Sequence, residues 1–356
     1  MQQVARRLTA AALLAALALA TGCAKSEDDA DSSKAGSGDG GGQVAAEPTK
    51  GAETCTAGRY GAKKLDLKKA TVGFSQSEKE ANPFRIAETA SIKAEAKKRG
   101  VKLLTANAQS QFSKQISDVQ DLISKGADLL VIAPLNSDGW EPVLKQAAAK
   151  KIPIVTVDRQ INATACKDYV SFIGSDFVEQ GRRAADRMIK ATGGKGEVAV
   201  LLGAPGNNVT TERTKGFRDR VKQKAPGLKI VFQQTGEFAR EKGQQVTEQL
   251  IQSKPDIDGI YAENDEMGLG AVNALKSAGK KAGAVKIVTV DGTRKAVQGV
   301  VDDWIHGVIE SNPRFGPLAF STLDDFTQGK KVGQSIVIKD GAYTPANAER
   351  DLSKAF

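Results

Sequence analysis

The sequence has 356 residues, 40% of them apolar and 26% charged, enough for a substantial core and for two globular domains; this excludes a disordered or fibrous chain. Lysine and arginine outnumber aspartate and glutamate by 51 to 42, for a formal charge of +9. The lysines stand singly or in pairs (Lys97 with Lys98, Lys150 with Lys151, Lys280 with Lys281), without a dense stripe or interleaved aromatics, so the charge reads as solvated surface and no nucleic-acid partner is expected.

At the start of the chain Arg6 and Arg7 precede an Ala/Leu run from Leu8 to Ala20. That run is shorter than the roughly 20 residues of a membrane-crossing helix and has the plan of a secretory signal, assigned to 1–22. Its exit, Ala20-Thr21-Gly22 before Cys23, resembles a bacterial lipobox, which implies cleavage there and a lipid on Cys23; a plain signal with an incidental cysteine is the alternative. Residues 23–62 open as a Ser/Gly/Asp tract without apolar periodicity and read as a flexible tether. The expected location is the extracytoplasmic face of a bacterial membrane, held by the lipid alone. Three cysteines are too few for a disulfide scaffold. With Cys23 lipidated, Cys55 and Cys166 remain as an even pair in an oxidising compartment, open to a bridge or to persisting as two thiols.

From 71 onward short apolar strands alternate with amphipathic stretches. Strands are predicted at 71–76, 101–107, 127–134 and 152–158, with helices around 84–99, 112–125 and 140–150 between them. After 169–176 the pattern restarts: strands at 197–203, 228–234, 258–264 and 286–291, and helices around 177–192, 208–224, 239–253 and 266–279. Near-continuous apolar strands separated by helices predict an α/β chain of two open parallel sheets, each covered on both faces. The pentapeptide IVTVD occurs at 154–158 and again at 287–291, each time as the fourth strand of its series, marking two similar halves. Ligands of open parallel sheets bind outside the carboxyl ends of the strands, where Asp158 and Asp291 stand, along with Gln76, Asn107 and Asn264.

The stretches ANPFRIAETA (81–90), TVDRQ (156–160), TTERTKGF (210–217), GEFAREKG (236–243), AENDEMGLGA (262–271) and TVDGT (289–293) follow one another in the order of a known family's motifs. From about 70 to 345 the chain resembles the ribose/galactose-type periplasmic sugar-binding proteins of bacterial ABC importers. GWEPVLKQA at 139–147 looks most like the galactofuranose-binding branch. Phe84 stands where that branch has tryptophan, and Asn82-Pro83-Phe84 looks like the ribose branch, so the resemblance leaves the sugar open between a galactofuranose-like hexose and a pentose such as ribose or arabinose.

The resemblance implies the type I periplasmic-binding fold: lobes of 63–172 plus 312–338 and of 173–311 plus 339–356, joined by a three-segment hinge around a cleft. It also implies site roles. Phe84 and Phe238 would stack on the sugar ring, and Asp158 with Arg159 would bind hydroxyls from the first lobe. Arg213, Asn264 and Asp291 would do so from the second, while Gln76, Asn82 and Arg85 complete the near wall and Glu310 or Ser311 adds a contact at a crossing. A carboxylate that only accepts beside a guanidinium that only donates suits a hydroxyl that does both. Each nominee has a structural competitor: Asp158 and Arg159 as an ion pair, Asn264 as a helix cap, Phe238 as core beside Phe232, Arg213 on a helix surface. The implied partners are a monosaccharide and the importer's permease and ATPase, with the protein itself a monomer; a sugar sensor serving a chemoreceptor or sensor kinase is the alternative.

No catalytic role is expected. His306 is the single histidine and has no neighbouring cysteine or histidine, no GxSxG or phosphate loop occurs, and neither cofactor nor metal is called for.

Overall fold

The computed structural model describes residues 46–48 and 53–356. The expected signal at 1–22, the expected lipid site Cys23 and most of the expected tether lie outside the described residues.

In chain order the first part comprises β1 (Ala46–Pro48), β2 (Thr54–Cys55), α1 (Ala57–Tyr60), β3 (Thr71–Gln76), α2 (Pro83–Arg99), β4 (Lys102–Asn107) and α3 (Phe112–Ser124). It continues through β5 (Leu129–Ile132), α4 (Glu141–Lys150), β6 (Ile154–Val157) and β7 (Ser171–Gly174). The second part is α5 (Phe177–Thr192), β8 (Lys195–Leu202), α6 (Asn208–Lys224), β9 (Gly227–Thr235), α7 (Arg240–Ser253), β10 (Gly259–Ala262) and α8 (Asp265–Ser277). β11 (Lys286–Asp291), α9 (Arg294–Val301), β12 (Gly307–Glu310), α10 (Gly316–Thr327), β13 (Val332–Gly333), β14 (Ser335–Ile338), β15 (Ala342–Tyr343) and α11 (Ala348–Asp351) complete it.

One sheet has the order β1-β14-β7-β6-β5-β3-β4 and the other β15-β12-β11-β10-β8-β9. In the first sheet β3 to β7, and in the second β8 to β12, are parallel and arranged 2-1-3-4-5 in chain order, so each lobe is a doubly wound unit whose strand order reverses beside the first of these strands. β1 and β15 are antiparallel edges. The two IVTVD segments occupy equivalent places, β6 between β5 and β7 and β11 between β10 and β12. Their central strands are fully buried because helices cover both faces, which is why the runs are apolar without alternation.

The chain passes between sheets three times: after β7, after β12 and after β14. The boundary expected at 172 cuts through β7, which stays whole in the first sheet, so the first crossing follows Gly174. The tether also ends earlier than 62. β2 pairs with β13, Cys55 is fully buried, and the Tyr60 hydroxyl donates to the Asp168 carbonyl while its ring meets Phe326 edge-on. Cys55 is bonded to Cys166 across a separation of 111 residues, with Cα atoms 5.2 Å apart, and this covalent tie with apolar burial draws 53–62 into the first lobe.

Helix termini follow local chemistry. Asn82, Asn207, Asn264 and Thr293 cap α2, α6, α8 and α9 through side-chain oxygens that accept from backbone N–H groups, and α2 and α5 end on left-handed Gly100 and Gly193. Each of these helices begins in the connection that follows its strand: α2 after β3, α6 after β8, α8 after β10 and α9 after β11.

Candidate functional site

Between the lobes lies a small cavity that opens to solvent. Asn82, Phe84, Arg85, Asp158 and Arg159 line it from the first lobe, and Arg213, Phe238, Asn264 and Asp291 from the second. Asp158 follows β6 directly and Asp291 ends β11, so the repeated pentapeptide delivers one carboxylate from each lobe. Proximity across the cavity is felt electrostatically: burial first, then Asp265, and also Asp158 push the Asp291 carboxyl well above the usual range, against the pull of Arg213.

Three expected members are elsewhere: Gln76, Glu310 and Asn107, whose Nδ2 donates to the Glu78 carbonyl at 2.9 Å. Gln76 lies behind the wall, its amide donating to Glu88 (2.9 Å) and Thr89 (3.1 Å), because β3 ends with this side chain turned under α2. Glu310 is held at the second crossing, where its carboxylate accepts from Gly341 N (2.7 Å) and Asn312 Nδ2 (3.2 Å) and has no face on the cavity. Two lining residues went unpredicted, Glu78 and Val209. Val209 could have been found by spacing, since it sits four residues before Arg213 on the same face of α6. Glu78 carried only the signal of a charge in the loop after β3.

The competing readings resolve into a network. Asp158 pairs chiefly with Arg85 (2.7 Å) and only loosely with Arg159 (3.7 Å). Arg159 instead reaches Glu78 (2.5 Å) and the Leu135 carbonyl, and Arg85 also binds Glu78 (3.1 Å) and Glu88 (2.8 Å). Burial works to raise Glu78, yet Arg159 and Arg85 outweigh it and bring its carboxyl down to about 2, so it stays ionised. Burial dominates at Glu88 and lifts it to about 7. Arg159 is 2% exposed, and its Nε has no hydrogen-bond partner, a buried donor left for a further acceptor.

On the other side Arg213 is buried rather than on the surface of α6. Its Nε donates to Gln180 (2.8 Å), its Nη1 to the Glu263 carbonyl, and its Nη2 faces Asp291 at 3.8 Å. Asn264 caps α8, its Oδ1 accepting from Met267 N while Nδ2 donates to the Phe238 carbonyl, and the residue also lines the cavity. Phe238 is set against Gly203, where a Cβ would stand 2.1 Å from the ring, and the Arg159 guanidinium lies 5.6 Å above it from the opposite lobe. Phe84 packs edge-on to Phe356 (6.0 Å) with Arg85 at 5.0 Å.

Asp158, Phe238 and Asp291 have φ of +64°, +60° and +142°, regions that side-chain-bearing residues seldom adopt. Three such residues from three separate segments facing one cavity is the usual company of a functional site, where surrounding structure holds strained backbone in place. Chemically, the walls offer fixed carboxylates, guanidinium groups and amides beside two aromatic faces, a set suited to a small, neutral polyhydroxylated solute. Among the described residues, no group of His, Cys, Asp and Glu is placed to hold a metal ion. His306 precedes β12 on the far side of its lobe, where its Nδ1 accepts from Ile287 N. Trp140 is buried against Phe112 at the start of α4, outside the cavity.

Residues 72–331 match the periplasmic binding protein domain. The chain is 34% identical over 290 residues to the galactofuranose-binding protein YtfQ of Escherichia coli (strain K12), covering 80% of this chain and 91% of that one. It is 37% identical over 270 residues to the ribose import binding protein RbsB of Bacillus subtilis (strain 168), covering 76% and 85%. Among solved structures, the binding protein of the arabinose ABC transporter from Shewanella sp. ANA-3, bound to α- and β-L-arabinofuranose, superposes with a TM-score of 0.76 at 36% identity, over 80% of this chain and 95% of that one. With the doubly wound lobes and the cavity between them, these matches make the chain a member of the periplasmic binding protein family, with the type I fold.

Proposed function

We propose that the protein is the solute-binding component of an ABC sugar importer, lipid-anchored through Cys23 on the extracytoplasmic face. It captures one monosaccharide, galactofuranose-like or a pentose such as ribose or arabinose, and delivers it as a monomer to a permease and its ATPase. The observation that carries this reading is the meeting of Asp158 and Asp291, from equivalent strands of the two lobes, in one cavity with Phe84 and Phe238. Relatives named for galactofuranose, ribose and arabinofuranose support the solute class.

The physics is that of a two-jawed grip. Only when both lobes contact the solute are all the walls engaged, so binding favours the closed arrangement by the difference in affinity between closed and open states. Hydrogen bonds to charged groups contribute about 1.5 to 3 kcal/mol each, and a micromolar complex needs about 8 kcal/mol, so a few bonds with ring stacking suffice. Binding is read here as an end in itself, without turnover.

Calorimetric titration of the processed protein with a panel of pentoses and hexoses, with chromatography of the recovered sugar, tests it. A saturable heat with unchanged sugar is expected; a chemically altered sugar, or no heat with any member, sinks the reading. Cys23→Ala should shift the protein from the membrane fraction to the medium or to an unprocessed precursor.

A further inference from the structure

Behind the cavity wall, Gln180 on α5 is 1% exposed and does not line the cavity. Its Oε1 accepts from Arg213 Nε at 2.8 Å. Its Nε2 donates to Asp340 Oδ2 at 2.7 Å and, more weakly, to the Glu310 carbonyl at 3.4 Å. The other Asp340 oxygen accepts from Ser175 Oγ at 3.2 Å, and Arg183 on α5 donates to the carbonyls of Asp340 and Gly341. Ser175 belongs to the first crossing between lobes, Glu310 to the second and Asp340 to the third. One amide therefore touches, directly or through a single carboxylate, every connection of the hinge and also an arginine of the cavity.

An amide is suited to this post because it accepts from a guanidinium and donates to a carboxylate at once; leucine does neither, and glutamate only accepts. The path is short because α5 and α6 cross on glycines: a Cβ on Gly181 would meet the Arg213 carbonyl at 2.2 Å, and one on Gly216 would meet the Val178 carbonyl at 2.0 Å.

We propose that Gln180 is a positioning residue that couples the cavity to the hinge, orienting Arg213 toward the solute through the same side chain that fastens the three crossings. The solute side of this coupling rests on the sugar-binding reading; the hinge side does not. Opening the lobes shifts the crossings relative to one another, so it disturbs the Asp340 contact and with it the edge of Arg213 that Gln180 holds.

The test combines sugar titration with hydrogen–deuterium exchange of the sugar-free protein. Gln180→Leu should weaken sugar binding by about tenfold or more, the scale of one charge-assisted hydrogen bond, and should speed exchange at all three crossings. Gln180→Glu keeps an acceptor for Arg213 but opposes Asp340 with a like charge, and should weaken binding too. Adding Asp340→Asn to Gln180→Glu inverts that contact, carboxylate for amide, and should restore affinity to within about threefold and exchange to the wild-type pattern. Wild-type affinity in Gln180→Leu, faster exchange confined to α5, or absence of rescue in the double variant each overturns the proposal. If wild type binds no sugar, the functional reading fails separately, and the exchange arm still decides whether Gln180 governs the hinge.

Discussion

Asp158 and Asp291 show why two similar carboxylates need not behave alike. Asp158 is matched by Arg85 at 2.7 Å, whereas Asp291 sees Arg213 only at 3.8 Å, and burial with Asp265 close by pushes its carboxyl up. Replacing either by alanine should cost about 2 to 4 kcal/mol of sugar affinity, since a buried hydrogen-bonding carboxyl is lost and its partners are left unpaired. Asp158→Ala should also lower stability, because it strips a partner from buried Arg85, while Asp291→Ala should leave the melting temperature nearly unchanged. Calorimetry beside thermal melts separates the two. Glu263 sets a pH dependence. Buried beneath Arg213, it accepts from Gly203 N and Thr214 Oγ1, yet burial still raises its carboxyl from 4.5 to about 7. A folded-state value above the unfolded one means that the native chain holds the proton more tightly. Its contribution is full below about pH 4.5 and is lost as pH rises through about 7. Glu88, raised to about 7, and Asp265 and Asp340, raised to about 6, act in the same direction. Melting temperature should therefore fall between pH 5 and pH 7, and Glu263→Gln should flatten part of that slope; an unchanged slope refutes the assignment.

At the level of elements, the site depends on close helix packing as much as on its own side chains. α6 carries Val209 and Arg213 to the cavity and is seated on α5 through Gly216 and Gly181. Gly216→Ala would place a methyl 2.0 Å from the Val178 carbonyl, so α6 must move away. We expect a loss of about 1 to 3 kcal/mol of stability from overpacking, with sugar affinity falling as well, because Arg213 moves with the helix. Denaturant melts and titration of this variant check both, and retained affinity would show that Arg213 is placed by its own hydrogen bonds alone.

For the molecule as a whole, the Cys55–Cys166 bond joins the segment that leads into the fold to the loop after Asp158. Neither cysteine lines the cavity, and both sit in the first lobe's core. Removing both by alanine substitution should lower stability by about 2 to 5 kcal/mol and leave sugar affinity near wild type. Alkylation of the unreduced protein followed by intact-mass measurement should find neither thiol free. Loss of affinity in the double alanine variant would mean that the bond also shapes the loop that presents Asp158 and Arg159.

By itself the sequence determined the alternation of buried strands and helices, the two-fold repetition and the strand-end placement of Asp158, Asn264 and Asp291. Each follows from short-range periodicity and from the rule that open sheets bind at carboxyl ends. Phe84 and Arg213 were legible through motif resemblance rather than pattern. Tertiary structure alone decided which face a strand-end side chain takes, and so turned Gln76 toward Glu88 and left Glu310 at a crossing. It alone paired Asp158 with Arg85 instead of its neighbour Arg159, and brought Glu78 into the wall. It also recruited 53–62 into the first lobe. Local patterns carry the period of burial, but the partner of a buried charge is set by groups far away in the chain, because desolvation favours whichever opposite charge the completed packing brings within reach.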